Sequence, residues 1–245
     1  MKTFSKVMAL VICAAVMVGA GILTSCSPNY GTPTTRSYNL GEYTAIDASS
    51  AWDIEMIEGI SEATVTLDEV LFDHLVFEVK EVEGIKTLFI DLTGWQTGRI
   101  KSMKVSLPLN EELRNISMSG ACDITIIGNT ALEKVELSGA SKADITGAGN
   151  MKKVFLSGAS KAKIAGQGDE MTISISGASK LDAEKLYLSS VQGMLSGASN
   201  IDVTICSSLE VVASGASHIT YGLVSPTCDP EINCDLTGGS TITER

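Results

Sequence analysis

From about residue 113 onward, apolar residues fall on alternate positions on both sides of a recurring Gly. Two before it stand Met118, Leu137, Leu156, Ile175, Leu195 and Ala213, and four before it Ile116, Val135, Val154, Ile173, Gly193 and Val211. Four after it stand Ile124, Ala143, Ala162, Leu181, Ile201 and Ile219, and six after it Ile126, Ile145, Ile164, Ala183, Val203 and Tyr221. Alternation at period two marks strands with one buried face, whereas a helix needs spacings of three and four. Each repeat therefore holds two strands that meet at a Gly corner.

The corner phrase is Ser119-Gly120-Ala121-Cys122, then Ser-Gly-Ala-Ser beginning at Ser138, Ser157, Ser176, Ser196 and Ser214, with Thr237-Gly238-Gly239-Ser240 as a degenerate copy. The glycines are spaced 19, 19, 19, 20, 18 and 23 residues apart. A period near 20 is that of a solenoid, and the Leu/Asn consensus of leucine-rich repeats is absent. The pattern predicts an all-β, right-handed, single-stranded parallel β-helix of about 19–20 residues per rung, with rungs ~4.8 Å apart. At the corner, Gly supplies a positive φ, Ala is expected to fill a narrow interior, and the Ser hydroxyls are expected to bond backbone or the next rung's Ser.

Toward the N-terminus, Ile46, Ala48, Ser50-Ala51-Trp52, Ile54 and Met56 repeat the phase with Ser50 in the Gly place. Residues 61–112 fit it poorly and read as strands at Ala63–Leu67, Leu75–Lys80, Lys86–Leu92 and Lys101–Leu107, with a hairpin turn at Glu83-Gly84. The prediction is an irregular N-terminal portion containing a hairpin, regular rungs over about 113–222, and a C-terminal cap over 223–245. Open solenoid ends need covering, and 61–100 and the tail are the candidates.

The first 26 residues carry an address. Lys2 and Lys6 precede an uncharged apolar run, Val7–Thr24, ending in Leu23-Thr24-Ser25-Cys26. This resembles the bacterial lipoprotein signal, which implies cleavage before Cys26 and its lipidation. Residues 27–42, rich in Ser, Thr, Pro, Gly and Asn, then read as a flexible tether, and 43–245 as the β-helix domain. The expected location is the outer membrane, lipid-anchored, on either its periplasmic or its extracellular face.

Charge narrows the partners. The chain has 18 Lys+Arg against 29 Asp+Glu, a net charge of −11, and aromatics are 5%. Nucleic acid is excluded as a partner, because a phosphate backbone is met by clustered Lys and Arg. The domain's surface repels anionic headgroups, so membrane attachment falls to the anchor.

The chemistry-bearing residues lie in two outward columns. Three after each Gly come Asp123, Lys142, Lys161, Lys180, Asn200 and His218; five after come Thr125, Asp144, Lys163, Asp182, Asp202 and Thr220. Phe155, Met194 and Val212, three before the Gly, add an outward apolar patch. The face carrying Lys142, Lys161, Lys180, Asp144 and Asp182 is the candidate binding strip, for a glycan or a protein ligand. Catalysis lacks its usual parts. Asp144, Asp182 and Asp202 make the best carboxylate cluster, but Lys163 interrupts it. No Gly-x-Ser-x-Gly occurs, His74 and His218 fall in different repeats, and no Cys/His cluster has zinc spacing. No catalytic residue, cofactor or metal is therefore expected.

The layout as a whole is similar to the putative auto-transporter adhesin head GIN domain family, common in lipoproteins of the Bacteroidota. The features that carry the likeness are the opening from Ala48 to Met56, the hairpin over Val76–Leu92, Leu107-Pro108 leading into Leu113–Ser119, and the serial Ser-Gly-Ala phrases. The resemblance covers about 38–240 and implies a β-helical fold and, through the family's name, adhesion. The expected function is a non-catalytic envelope lipoprotein that binds a surface. A glycan-active enzyme and an envelope scaffold are the alternatives.

With Cys13 in the signal and Cys26 lipidated, Cys122, Cys206, Cys228 and Cys234 remain. Cys206 lies nine before Gly215 and Cys228 ten before Gly238, so they stack on adjacent rungs. The expected disulfide is Cys206–Cys228, with Cys228–Cys234 as the other arrangement.

Overall fold

Nineteen strands and one 3-10 turn (Glu69–His74) make up the computed structural model, which describes residues 30–95 and 99–245. The expected signal segment and its Cys26 lie outside the described residues. Of the described residues, 61% lie in strands and 3% in helix. Seven consecutive coils run from β8 to β19. They comprise β8 (Asn115–Met118) and β9 (Asp123–Thr130), β10 (Lys134–Leu137) and β11 (Lys142–Ala148), and β12 (Lys153–Leu156) and β13 (Lys161–Gln167). Next come β14 (Glu170–Ile175), the long β15 (Lys180–Leu195) and β16 (Asn200–Ala213), β17 (His218–Leu223), β18 (Glu231–Leu236) and β19 (Thr241–Glu244).

Every coil pairs parallel with its neighbours, and equivalent residues stack. Val135 lies between Ile116 and Val154, and Leu137 between Met118 and Leu156. Ala143 lies between Ile124 and Ala162, and Ile145 between Ile126 and Ile164. The inward columns are almost wholly buried, with Gly193 and Tyr221 half-buried where coils widen. One continuous core therefore runs the length of the stack, and each rung covers the apolar layer of the last.

The corner departs from expectation in one respect. Each Gly has a positive φ, +75° at Gly158 for example, and its carbonyl accepts from the Ala amide one coil on, as from Ala178 at 2.8 Å. A Cβ at Gly158 would collide with the Gly139 carbonyl oxygen, so both the dihedral and the stacking distance demand Gly. The Ala expected inside is exposed in every coil, and the following Ser is buried instead: Ser141, Ser160, Ser179, Ser199 and Ser217. The bend at Gly turns the Ala Cβ outward, and strand alternation then points the next residue in. In Ser160, Ser199 and Ser217 the hydroxyl donates to the carbonyl three residues back, Ser160 to Ser157 at 2.7 Å and Ser199 to Ser196 at 2.7 Å, whereas Ser179 reaches the Gly158 carbonyl at 3.5 Å and Ser141 has no partner. Cys122 fills this column in its coil, and its Sγ faces the Ser119 carbonyl at 3.4 Å.

The N-terminal layers are laid out of chain order. β2 (Ala45–Ala48) and β3 (Asp53–Ile57) stack under β8 and β9, with Ser50 at the corner at φ 86°. The chain then leaves through β4 (Ala63–Asp68) and the hairpin of β5 (Leu75–Val82) with β6 (Ile85–Leu92), which turns at Glu83-Gly84. β6 and β7 (Met103–Pro108) return as a further parallel layer on the outer side of β2 and β3. β4 pairs antiparallel with β7, and β1 (Pro33–Tyr38) antiparallel with β4. β5 and β4 thus cover the edges at this end.

Two boundaries differ from those expected. The tether predicted over 27–42 contains β1, because Thr34 and Tyr38 pack inward and the Thr-rich run suits an edge strand. Residues 223–245, expected as a cap, form one more coil, with β18 on β16 and β19 on β17. The apolar side chains at its inward positions, such as Leu236 and Ile242, follow the same alternation as the rest of the stack.

Candidate binding face

Two outward columns flank the corner on its C-terminal side, and their spacing is fixed by the parallel register. Along the first, Lys142 sits between Asp123 and Lys161, and Lys161 between Lys142 and Lys180, with Asn200 and His218 following. Along the second, Asp144 is beside Lys163, Lys163 beside Asp182, and Asp182 beside Asp202. All five residues of the predicted strip therefore share one face. Between the two columns, over Ala143 and Ala162 whose side chains are buried, lies a shallow groove of about 290 Å³ with these outward side chains as its walls.

The charges on this face are unevenly satisfied. Lys142 Nζ donates to Asp123 Oδ2 at 3.0 Å. Lys161, Lys163, Lys180, Asp144 and Asp182 make no ion pair within 4.0 Å among the described residues. Lys163 and Asp123 line the groove as well, so the strip is wider than the five residues expected. Further along, Arg245 folds back so that its guanidinium meets Asp202 and Thr204. Desolvation, opposed by Arg245 and reinforced by Glu184 and Asp182, raises the Asp202 carboxyl above its ordinary value. The neighbouring pair Asp182 and Asp202 is thus already engaged at one member. No set of three or more His, Cys, Asp or Glu is grouped to hold a metal among the described residues.

The sequence profile of the family described as "Putative auto-transporter adhesin, head GIN domain" matches residues 42–222. The chain belongs to that family. Solved structures agree on the fold. A putative adhesin from Bacteroides fragilis superposes with a TM-score of 0.70 at 21% identity, covering 87% of this chain and 97% of that one. A putative adhesin from Parabacteroides merdae gives 0.64 at 14%, covering 88% and 97%. A protein from Parabacteroides distasonis described as a putative lipid binding protein gives 0.54 at 19%, covering 88% and 97%. No curated protein matches.

In this head GIN domain the other side of the corner presents the predicted apolar residues. Met194 and Val212 stack on adjacent coils and are exposed, while Phe155 is half-buried under the Lys134 ammonium, 5.6 Å from its ring centroid. Ser174 separates Phe155 from Met194, so the patch is broken. His74 and His218 lie far apart, in the 3-10 turn and on β17. Cys206 and Cys228 are joined, with Cα atoms 4.9 Å apart, and Cys122 and Cys234 carry free thiols. The bond ties the loop before β18 to the preceding coil.

Proposed function

We propose that this head GIN domain is a non-catalytic adhesion module of the cell envelope, anchored through Cys26, that binds an extended ligand along the face of Lys142, Lys161, Lys180, Asp144 and Asp182. The observation that carries the reading is the run of unpaired Lys161, Lys163 and Lys180 beside the groove. On a chain of net charge −11, unpaired lysines in register are a local exception. They give a ligand donors at the spacing of the rungs, ~4.8 Å, on a rigid sheet. Each contact is weak in water, so affinity arises from several contacts along the face and from many copies on one cell.

Glycan and host-matrix arrays probed with the full chain test this. The reading expects binding that is lost in the variant with Lys142, Lys161 and Lys180 all changed to Ser. Binding left unchanged would remove this face. Turnover of a polysaccharide that disappears in Asp182→Ala would replace the adhesion reading with an enzymatic one. A lipidation assay addresses the anchor: Cys26→Ser should abolish incorporation of labelled fatty acid.

A further inference from the structure

A cavity of about 590 Å³ lies away from the repeat face. It lies in the N-terminal portion, between the β1–β2 connection, the start of β4 and the β7–β8 connection. Its apolar wall is made by Leu40, Ala63, Pro108 and Leu109, and its carboxylates are Glu42, Glu111 and Glu112. No Lys, Arg or His lines it.

Hydrogen bonds hold the two connections in place independently of any ligand. Asn110 Nδ2 donates to the Tyr43 carbonyl at 2.8 Å, and Asn110 Oδ1 accepts from the Glu112 amide at 3.0 Å. The Leu109 amide donates to Ile57 at 3.0 Å, the Arg114 amide to Thr44 at 2.8 Å, and the Ala131 amide to Glu111 at 2.8 Å. The backbone is thus committed to the stack, while the carboxylates of Glu111 and Glu112 are exposed and make no ion pair among the described residues. Glu42 is shared with Lys86 at 3.1 Å. Tyr43 also lines the cavity and is 7% exposed.

We infer that this cavity binds a small organic cation: a compact apolar body carrying one ammonium or guanidinium group. A preformed concavity with an apolar wall and a few polar groups of one kind suits such a ligand. The wall takes the apolar body out of water. The free carboxylates accept charge-assisted hydrogen bonds from the cationic head. The acidic chain concentrates cations around the site and disfavours anions. The preference is opposite in sign to that of the lysine face, so the two sites stand or fall separately.

The test is calorimetric titration of the full chain with three probes of equal length: hexylammonium, hexanol and hexanoate. Hexylammonium should bind best and hexanoate least. The double variant Glu111→Gln/Glu112→Gln should weaken hexylammonium roughly tenfold, as expected for two exposed charge contacts. It should leave hexanol unaffected, and unchanged circular dichroism would show that the fold is retained. Nα-acetyl-lysine methylamide separates the sources of the ammonium. Its binding with loss in the double variant assigns a peptide lysine, and its failure beside hexylammonium binding assigns a free amine. Equal binding of hexanol and hexylammonium, an unaffected double variant, or no binding of hexylammonium at millimolar concentration would overturn the inference.

Discussion

At Ser50 and at Gly158 the chain turns the same corner at nearly the same backbone angle, φ 86° and φ 75°. In the regular coils the corner is enclosed on both sides by identical corners, so a side chain there meets the carbonyl of the coil below. In the N-terminal layers the neighbours differ. Ser50 has β6 and its flanking loop on one side, and its Oγ donates to Asp91 Oδ1 at 2.7 Å. A residue with a Cβ is tolerated there because its side chain has somewhere to go and something to bond. Repetition therefore makes the coils strict in sequence, whereas the irregular layers replace strictness with particular contacts: Tyr38 against Phe77, Arg36 over Phe72, Asn110 between two loops.

Substitution at the two corners should expose this difference most strongly. Gly158→Ala places a Cβ both at an unfavourable φ and against the Gly139 carbonyl, and is expected to cost about 3 kcal/mol or more, read from urea unfolding. Ser50→Gly relieves the same dihedral but loses the bond to Asp91, so its net effect should stay within about 1 kcal/mol of zero. Equal losses at both positions would show that the corners are not distinguished by their neighbours.

The C-terminal coils depend on a covalent tie that the N-terminal layers lack among the described residues. Cys206→Ser opens a loop of sequence separation 22. It should cost ~3 kcal/mol, with the new amide exchange confined to β17 through β19. Exchange spreading evenly to β2 and β3 would contradict a local role.

Within the regular coils the inward Ser column offers a smaller contrast. Ser160→Ala removes a buried bond to the Ser157 carbonyl and should cost ~1 kcal/mol. Ser141 Oγ has no partner, so Ser141→Ala should be neutral or slightly stabilising. A matching pair of losses in thermal unfolding would mean that the hydroxyl acts by packing alone.

The smallest effect is a titration in the N-terminal layers. Burial pushes the Tyr43 hydroxyl up to about 12, with the Asn110 side chain opposing. A group protonated in the fold but ionised in the unfolded chain favours unfolding as pH rises. The stability associated with Tyr43 is therefore intact below pH ~10 and lost as pH rises through ~12. Tyrosine absorbance should show a late-titrating group, above the also raised Tyr221, that is missing from Tyr43→Phe. Its persistence in the variant would assign it elsewhere.

Much of this was legible in the alternation of apolar residues. The coil register, the buried columns from Ile116 to Ile219 and the shared face of Lys142, Lys161, Lys180, Asp144 and Asp182 follow from spacing alone, because parallel stacking in register copies sequence period into space. The corner was legible in its Gly but not in its occupants. Which of Ala and Ser points inward depends on a single reversal of the chain direction, which composition does not encode.

The sequence by itself determined the repeat, the strand type and the outward charge columns, since each is set by neighbours along the chain or by one constant period. Tertiary structure decided the order of the first layers. β6 and β7 pack outside β2 and β3 although they follow them, because the antiparallel excursion through β4 and β5 carries the chain out before it returns. It also decided the cavity between residues 40–44 and 108–112. Those segments share no periodic relation, and only the stacking of β8 on β2 brings them together, so that Asn110 reaches the Tyr43 carbonyl.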